Sequence, residues 1–250
     1  MKLLITGANS YVGTNVSEYL SKNTDIQCDT LDMQDEKWRD FDFSLYDAVY
    51  HVAGIAHADV SKATEETKKL YYKVNCDLAF ETAQKAKEAG VKQFIFMSSM
   101  LVYGDVNKRL SDGCIKKDTK PSPENFYGDS KLQAEIKLNT LRDKSFKIAI
   151  LRPPMIYGKN CKGNYKTLEK MANKLPIFPE IANKRSVLHI DILGEFVGEA
   201  VKASYDGVYF PQMPEYKSTS QMVREIAEAN GKKIRFVKFL NPFVRLLMKL

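Results

Sequence analysis

Short apolar runs alternate with helix-like segments from the first residue to about residue 210. This alternation is typical of a parallel β-sheet with helices on both faces, because a helix connects each strand to the next. The apolar runs predict strands at 2–6, 26–31, 47–52, 93–98 and 146–151. We therefore expect an α/β fold built on a doubly wound parallel sheet.

Apolar residues between these runs recur at helical spacing. Residues four positions apart share one face of a helix, and two such series are present: Val12, Val16 and Leu20, and later Leu70, Val74 and Leu78. The second helix is predicted to run to Ala89 and to end at Gly90, because glycine commonly follows the last residue of a helix. A further helix is predicted from Tyr127 to Leu141.

From Arg152 onward, closely spaced prolines and glycines predict shorter elements and a smaller, looped lobe. Its predicted strands lie at 187–190, 208–210 and 233–237, and its predicted helices at 192–204 and 218–230. We therefore divide the chain into a sheet domain at residues 1–151 and a small carboxyl-terminal lobe at 152–250, with some return of the chain to the sheet. Residues 243–250 predict a packing helix or an amphipathic tail that contacts a membrane.

The composition is that of an ordinary globular protein, with 44% hydrophobic and 28% charged residues. No apolar run approaches the roughly 18 residues of a membrane span, and the apolar start of the chain is too short for a signal peptide. We therefore predict a cytoplasmic protein without an integral membrane segment. The four cysteines lie far apart, which indicates free thiols, and no metal site is predicted.

Charge is distributed unevenly along the chain. Residues 1–60 carry 4 Lys and Arg against 10 Asp and Glu, whereas residues 151–250 carry 17 against 9. The basic part suits an anionic ligand such as a diphosphate, although a solvated surface would have the same composition. Because the lysines are scattered and no basic recognition motif is present, we predict no nucleic-acid partner.

A glycine turn directly follows the first predicted strand and leads into a helix, in the sequence TGANSYVG from Thr6 to Gly13. A glycine there lets the backbone approach a pyrophosphate, and the helix N-terminus offers free N–H groups, so the turn indicates a dinucleotide site. An ordinary turn is the alternative. The residues predicted to contact the cofactor are Gly7, Asn9, Ser10, Tyr11, Val12 and Gly13.

An acidic residue near the end of the second strand would bind both ribose hydroxyls and favour NAD over NADP. Asp32 and Asp29 are the candidates, and each could equally be an exposed turn carboxylate. We therefore predict NAD as the cofactor, with NADP as the alternative.

A tyrosine and a lysine on the third predicted helix indicate acid–base chemistry. Tyr127 and Lys131 are four residues apart and share a helix face. A tyrosine has an ordinary pKa of about 10, and a nearby ammonium group favours its phenolate form. Ser98 and Ser99 close a predicted strand, where catalytic groups of parallel sheets gather. An exposed helical pair and two turn caps are the alternatives.

Taken in order, the motifs resemble the extended short-chain dehydrogenases/reductases, also called the nucleotide-sugar epimerase/dehydratase family. The resemblance covers most of the chain, at Thr6 to Gly13, His51 to Gly54, Val74-Asn75, Phe94 to Gly104, Tyr127 to Glu135 and Arg152 to Gly158. It implies a Rossmann domain that holds NAD(P), with Ala53 and Gly54 near the cofactor, and a lobe that binds a nucleoside-diphosphate sugar. It also implies a homodimer.

The resemblance implies roles for individual residues. Tyr127 would take a proton from a sugar hydroxyl while hydride leaves the same carbon, and Lys131 would bind the nicotinamide ribose and lower the pKa of Tyr127. Ser99 would hydrogen-bond the reacting oxygen, and Asn75 would support the site.

In the lobe, Asn164 resembles a substrate-contacting asparagine and Arg185 a diphosphate-binding arginine. Arginine suits this role because its planar fork can bond two phosphate oxygens. A turn asparagine and a surface arginine are the alternatives.

The absence of one acidic pair distinguishes this sequence from the dehydratase branch of the family. Sugar 4,6-dehydratases carry an Asp-Glu pair where this chain has Met100 and Leu101, which cannot transfer protons. We therefore expect an NAD-dependent 4-epimerase that acts on a UDP-hexose or UDP-N-acetylhexosamine, similar to those of bacterial polysaccharide synthesis. A 4-keto sugar reductase and a non-catalytic NAD(P)-binding sensor are the alternatives.

The chain departs from the family pattern at three places. Ser10 replaces the usual central glycine of the cofactor turn, and the stretch from Asp25 to Asp47 is shorter than usual. The sequence ends before a further arginine that epimerases commonly use on the diphosphate, which predicts a truncated lobe.

Overall fold

The computed structural model describes residues 1–56, 63–105, 110, 113–161, 163–239 and 241. The strands in these residues are β1 (Lys2–Thr6), β2 (Gln27–Leu31), β3 (Ala48–His51), β4 (Gln93–Met97), β5 (Lys147–Leu151), β6 (Met155–Tyr157), β7 (Ile177–Pro179), β8 (Val187–His189), β9 (Gly207–Tyr209) and β10 (Arg235–Val237). The helices are α1 (Tyr11–Asn23), α2 (Glu65–Tyr72), α3 (Leu78–Glu88), α4 (Phe126–Asn139), α5 (Asn164–Lys174), α6 (Ile190–Lys202) and α7 (Thr219–Ala229).

Six strands form one parallel sheet in the order β2, β1, β3, β4, β5, β9. From β1 the chain first adds β2 on one side and then crosses to the other side to add β3. The winding therefore reverses at β1, which confirms the predicted doubly wound sheet. In such sheets a ligand binds outside the carboxyl ends of the strands at the point of reversal.

The central strands are buried along almost their whole length, which explains why they read as continuous apolar runs rather than alternating ones. All four residues of β3 and all five of β4 are buried. Strands in parallel sheets have this character because helices cover both faces. The edge strand β2 exposes three of its five residues, and its sequence is more polar than those of the central strands.

The three apolar residues that indicated the second helix are not its most buried ones. Leu70 is 50% exposed, and Val74 and Leu78 are only partly buried. The buried residues of this segment are Tyr71, Asn75, Cys76, Ala79, Thr82, Ala83 and Ala86. Small and polar residues make up most of this set, so a search for large aliphatic residues misses it.

A π-helical turn, Lys73–Asp77, joins α2 to α3. The Leu78 N–H donates to the Lys73 carbonyl, five residues back rather than four. Single π turns inside α-helices occur frequently at functional sites, because they present one extra residue on a helix face.

The chain divides into two compact units, and the first of them includes a segment that returns to the sheet from beyond the predicted boundary at residue 151. The first unit comprises Met1–Pro154 and Ile190–Pro211, and the second comprises Met155–His189 and Gln212–Leu250. The predicted helix at 192–204 and strand at 208–210 correspond to α6 and β9, which belong to the first unit. The reason is that β9 pairs with β5 and extends the large sheet.

The second unit contains two small parallel sheets, β6 with β8 and β7 with β10. Helices α5 and α7 enclose its core, whose buried residues are Ala172, Phe178, Val223, Ile226 and Ala227. The predicted elements at 187–190, 218–230 and 233–237 correspond to β8, α7 and β10, whereas β6, α5 and β7 had not been predicted. The predicted segment 243–250 lies outside the described residues. No helix of the described residues is both long enough and apolar enough to cross a bilayer.

Candidate active site

The glycine turn lies between the ends of β1 and β3. Gly7 has a φ of +94°, which favours glycine, and a Cβ placed on it would lie 2.8 Å from the Ala53 nitrogen. The amides of Gly7 and Ala8 both donate to the Leu31 carbonyl, at 2.8 and 3.1 Å. The structure thus brings Gly7, Ala53 and the end of β2 together at the point where the sheet reverses, which is where doubly wound sheets bind their ligands.

Ser10 begins α1 as its N-cap. Its hydroxyl oxygen accepts a hydrogen bond from the Gly13 amide at 3.0 Å, and Asn9 before it has a φ of +64°, a conformation that asparagine tolerates. Tyr11 and Val12 complete the first turn of the helix. A serine therefore replaces the family's glycine without strain, but its hydroxyl engages one of the N–H groups that would otherwise face an anion.

The two aspartates near the end of β2 have different surroundings. Asp29 accepts hydrogen bonds from Tyr46 at 2.8 Å and from Lys2, and these lower its pKa. Asp32 is exposed, directly follows Leu31 at the glycine turn, and accepts a local bond from the Gln34 amide at 2.9 Å. Of the two candidates, Asp32 is therefore the one whose position fits a ribose at the turn.

Ser99 lies beside Tyr127, close enough for its hydroxyl to lower the pKa of the tyrosine. Ser99 also caps the short 3₁₀ turn Met100–Tyr103, where its oxygen accepts the Leu101 amide at 3.2 Å. Tyr71 packs edge-on against Tyr127, with ring centroids 6.1 Å apart. Burial is the larger influence and raises the pKa of Tyr127, and the neighbouring Ser99 side chain partly opposes that increase.

Lys131 is 4% exposed, and its Nζ donates to the Met97 carbonyl at 2.8 Å. Burial lowers its pKa to about 8, and the charge of Glu135 opposes that decrease. Burial is the largest influence on Tyr127 and raises its pKa, so the expected lowering of that pKa by Lys131 stays a prediction. The shared helix face predicted proximity, but it did not predict the burial of both groups.

Asn75 lies in the π turn and connects three elements. Its Oδ1 accepts the Ile55 amide at 2.8 Å, and its Nδ2 donates to the Ile55 carbonyl at 3.0 Å and to Ser130 at 3.1 Å. A Cβ placed on Gly54 would lie 2.9 Å from Asn75 Oδ1 and 3.2 Å from Lys131 Nζ. Gly54, Asn75 and Lys131 therefore meet at one point beside the end of β3.

A buried ionic network beneath these residues escaped the sequence analysis. Arg152 forms a double hydrogen bond with Glu135, and it also donates to the Tyr103 hydroxyl. Ser98 donates to the same carboxylate. Glu135 is 2% exposed and Arg152 8% exposed. The network joins α4, which carries Tyr127, to the strand end and turn that carry Ser99.

His51 is a second buried group that the sequence analysis did not assign. It is fully buried at the end of β3, and its Nδ1 lies 2.8 Å from Thr6 Oγ1, across the pairing of β1 with β3. Its Nε2 has no hydrogen-bond partner among the described residues. Burial, followed by the charge of Lys131, lowers the pKa of His51 to about 3, so the imidazole is neutral at physiological pH. The histidine thus connects the two strands that flank the cofactor turn.

The two predicted substrate residues belong to the second unit. Asn164 is the first residue of α5, and Arg185 directly precedes the segment that leads into β8. Arg185 is exposed, and its backbone pairs with Lys217 at 3.0 and 2.9 Å. The predicted catalytic and cofactor residues all belong to the first unit.

Comparison with known families gives one match over most of the chain. The matching family is described as the NAD dependent epimerase/dehydratase family, and the match covers residues 3–195.

Two curated relatives align with nearly the whole chain. The first is a UDP-glucose 4-epimerase of Vibrio cholerae, 32% identical over 263 residues, with 92% of this chain and 76% of the relative covered. The second is the N-acetyl-alpha-D-glucosaminyl-diphospho-ditrans,octacis-undecaprenol 4-epimerase of Escherichia coli O157:H7, 29% identical over 253 residues, with 93% and 73% covered.

Among solved structures, the UDP-glucuronic acid 4-epimerase of Bacillus cereus in complex with NAD is similar to this chain with a TM-score of 0.75. The match covers 95% of this chain and 87% of that chain at 20% identity. At this identity the likeness shows the fold alone.

Proposed function

The chain belongs to the NAD dependent epimerase/dehydratase family, and from this membership we propose that it is an NAD-dependent 4-epimerase of a UDP-hexose or UDP-N-acetylhexosamine. The observation that carries the proposal is the position of Ser99 beside Tyr127, with Lys131 one helical turn away. These residues lie in the unit that also holds the glycine turn and Asp32.

The proposed mechanism gives each side chain one task. Tyr127 takes the proton of the sugar C4 hydroxyl, and Ser99 holds the reacting oxygen. A bound NAD would supply the hydride chemistry at C4, with the hydride removed from one face of the sugar and restored to the other. Because the hydride returns to the sugar, the reaction consumes no external reductant.

The charge of Lys131 matters because burial raises the pKa of Tyr127. A cation favours the phenolate, and a lysine with a pKa of about 8 is still largely protonated at neutral pH. Asn75 fixes the segment after β3 beside this lysine. We propose that Gly7, Asn9, Ser10, Tyr11, Val12, Gly13, Asp32, Ala53 and Gly54 contact the cofactor, and that Asn164 and Arg185 contact the substrate.

The proposal is tested with the purified chain and a panel of four sugar nucleotides: UDP-glucose, UDP-galactose and their N-acetyl forms. The expected result is interconversion at C4 without added NAD(P)H, together with NAD identified by mass spectrometry in the denatured protein. Because one relative is named for an undecaprenol-linked sugar diphosphate, a short-chain polyprenyl diphosphate N-acetylglucosamine is tested beside the panel as a fifth substrate.

Two alternatives predict different outcomes. A 4-keto reductase would consume NAD(P)H in equal amount with a 4-keto sugar nucleotide and would not epimerise the panel. A sensor would bind the cofactor without epimerising any substrate, and Tyr127→Phe would not change its affinity for the cofactor. Either result contradicts the proposed epimerase.

The homodimer, the cytoplasmic location and the absence of a nucleic-acid partner stay predictions. Light scattering of the purified chain tests the first, fractionation of cells the second, and filter binding of DNA and RNA the third.

A further inference from the structure

One surface of the second unit combines exposed apolar side chains with basic ones. Met171, Leu175 and Ile177 are 38%, 41% and 42% exposed. Basic residues accompany them, and we call the whole set the basic apolar face: Lys170, Met171, Lys174, Leu175, Ile177 and Arg235.

Three of these residues lie on α5, and Leu175 follows the helix directly as its extended C-cap. The helix turns Tyr165, Leu168 and Ala172 toward the core of the unit. Residues four positions apart share a helix face, so Lys170 and Lys174 lie together on the exposed side, and Met171 lies three positions before Lys174. The single acidic residue of α5, Glu169, lies on the other flank.

Two residues after Leu175 the chain enters β7, which pairs with β10. Ile177 is paired with Arg235, and the next pair is Phe178 with Phe236. The two phenylalanine rings contact each other, with centroids 6.0 Å apart, and Phe178 is buried. Because side chains alternate along a strand, Ile177 and Arg235 lie on the opposite, exposed side of the sheet.

The charge of the unit agrees with an anionic partner. The second unit carries 15 Lys and Arg against 5 Asp and Glu, and the first unit carries 23 against 26. The net charges are therefore +10 and −3. The sequence of residues 241–250 continues the same composition, with two basic, no acidic and six apolar residues.

We propose that the basic apolar face docks the protein on an anionic lipid bilayer. A bilayer interface uses both kinds of side chain, because acidic head groups attract the cations while aliphatic groups enter the boundary with the acyl chains. A nucleic-acid backbone would use the cations alone and leave the aliphatic side chains in water. The proposal goes beyond the catalytic one and does not depend on it.

The experiment measures binding of the full chain to vesicles by cosedimentation. Vesicles of equal parts phosphatidylglycerol and phosphatidylethanolamine provide the anionic surface, and vesicles of phosphatidylcholine alone are neutral. We expect binding to the first and at least about tenfold weaker binding to the second. We also expect high salt to weaken the binding.

Matched variants separate the face from overall charge. Lys170→Glu with Lys174→Glu should lower the partition coefficient at least about tenfold. Lys92→Glu with Lys144→Glu makes the same charge change on exposed lysines of the first unit and should leave binding within about twofold. Met171→Ser with Leu175→Ser should lower binding several-fold at unchanged charge. Circular dichroism confirms that each variant is folded.

Three outcomes overturn the proposal. The wild-type chain could fail to sediment with anionic vesicles, or it could bind both vesicle types equally. The two charge variants could lose binding equally, which would make the effect one of net charge. If Met171→Ser with Leu175→Ser converted a dimer to a monomer in light scattering and left vesicle binding unchanged, the face would be a contact between chains.

Discussion

The two units differ in whether they bury charged side chains. In the first unit, Glu135, Arg152 and Lys131 are each less than 9% exposed and are held by hydrogen bonds, although exposed ion pairs such as Arg39–Glu81 are present there too. In the second unit, the side chains of the ion pair Lys217–Glu225 are 25% and 54% exposed. Among the described residues, buried Lys, Arg, Asp and Glu side chains occur in the first unit alone, so it fixes the positions of charges that the second unit leaves in contact with water.

The backbones of the two units also differ, in the number, length and burial of their strands. The first unit is organised around six parallel strands, four of them with four or five residues and largely buried. The second has two sheets of two strands with three residues each. Few backbone pairs and a small core make local opening easier, so we expect the second unit to exchange its amide hydrogens first.

The largest expected effect comes from removing a tyrosine hydroxyl, which should matter in the first unit and not in the second. Tyr127→Phe removes the proposed proton acceptor in the first unit, and we expect turnover to fall by about 10²- to 10⁴-fold while NAD stays bound. Tyr216→Phe removes the same atom from an exposed tyrosine of the second unit and should leave turnover unchanged. Steady-state kinetics with the active sugar nucleotide measure both. Turnover near the wild-type value in Tyr127→Phe would contradict the assignment.

The next effect contrasts a buried with an exposed ion pair. Glu135→Gln leaves Arg152 buried without a counter-charge, which should lower the free energy of unfolding by about 3–5 kcal/mol. Glu225→Gln breaks the exposed pair with Lys217 and should lower it by less than about 1 kcal/mol. Urea unfolding followed by circular dichroism measures both changes. Equal losses would show that burial does not distinguish the two pairs.

A third effect depends on pH. His51 has a folded pKa of about 3, below its ordinary 6.5, so protonation is easier in the unfolded chain. The free energy of unfolding should therefore decrease as the pH falls from about 6.5 toward 3, by about 1.4 kcal/mol per pH unit from this group.

His51→Gln should remove that contribution, which amounts to about 2 kcal/mol at pH 5. The carboxylates contribute equally to both proteins, so the difference between the two pH profiles isolates the histidine. His189→Gln, in the second unit, is the matched control. Parallel profiles for wild type and His51→Gln would rule out this source of acid sensitivity.

The smallest expected effect concerns the proposed binding of substrate by the second unit. Arg185→Ala removes a cation proposed to bind the substrate diphosphate, and because this side chain is exposed we expect KM to rise about tenfold at unchanged kcat. Arg224→Ala removes an arginine of the same unit that stacks on Phe236, and it should leave KM unchanged. A decrease in kcat with constant KM would instead place Arg185 in the chemical step.

The sheet was predictable because its strands are local signals. Buried parallel strands consist of apolar runs, and these runs match β1 to β5 within one or two residues. The elements β6, α5 and β7 were not predictable in the same way. Strands of three residues carry too little pattern, and α5 buries little more than Leu168 and Ala172 among many polar residues.

The site was predictable only where its residues are close in sequence. The glycine turn and the pair Tyr127 and Lys131 are local motifs. The network of Glu135 with Arg152 joins residues 17 positions apart, and the pair Thr6 and His51 joins residues 45 apart. Such contacts are set by the fold, so no spacing rule indicates them. Spacing likewise did not indicate the burial that raises the pKa of Tyr127.

The π turn at Lys73–Asp77 has a consequence for how this chain can change over generations. A substitution within the turn keeps every later residue at its angle around the axis, but deletion of one residue would rotate one half of the helix against the other by about 100°. That rotation would break the hydrogen bonds of Asn75 with Ile55 and Ser130 together with the contact between the rings of Tyr71 and Tyr127. Single substitutions can therefore be tolerated in this segment. We expect related sequences that keep the site to show no single-residue deletion here.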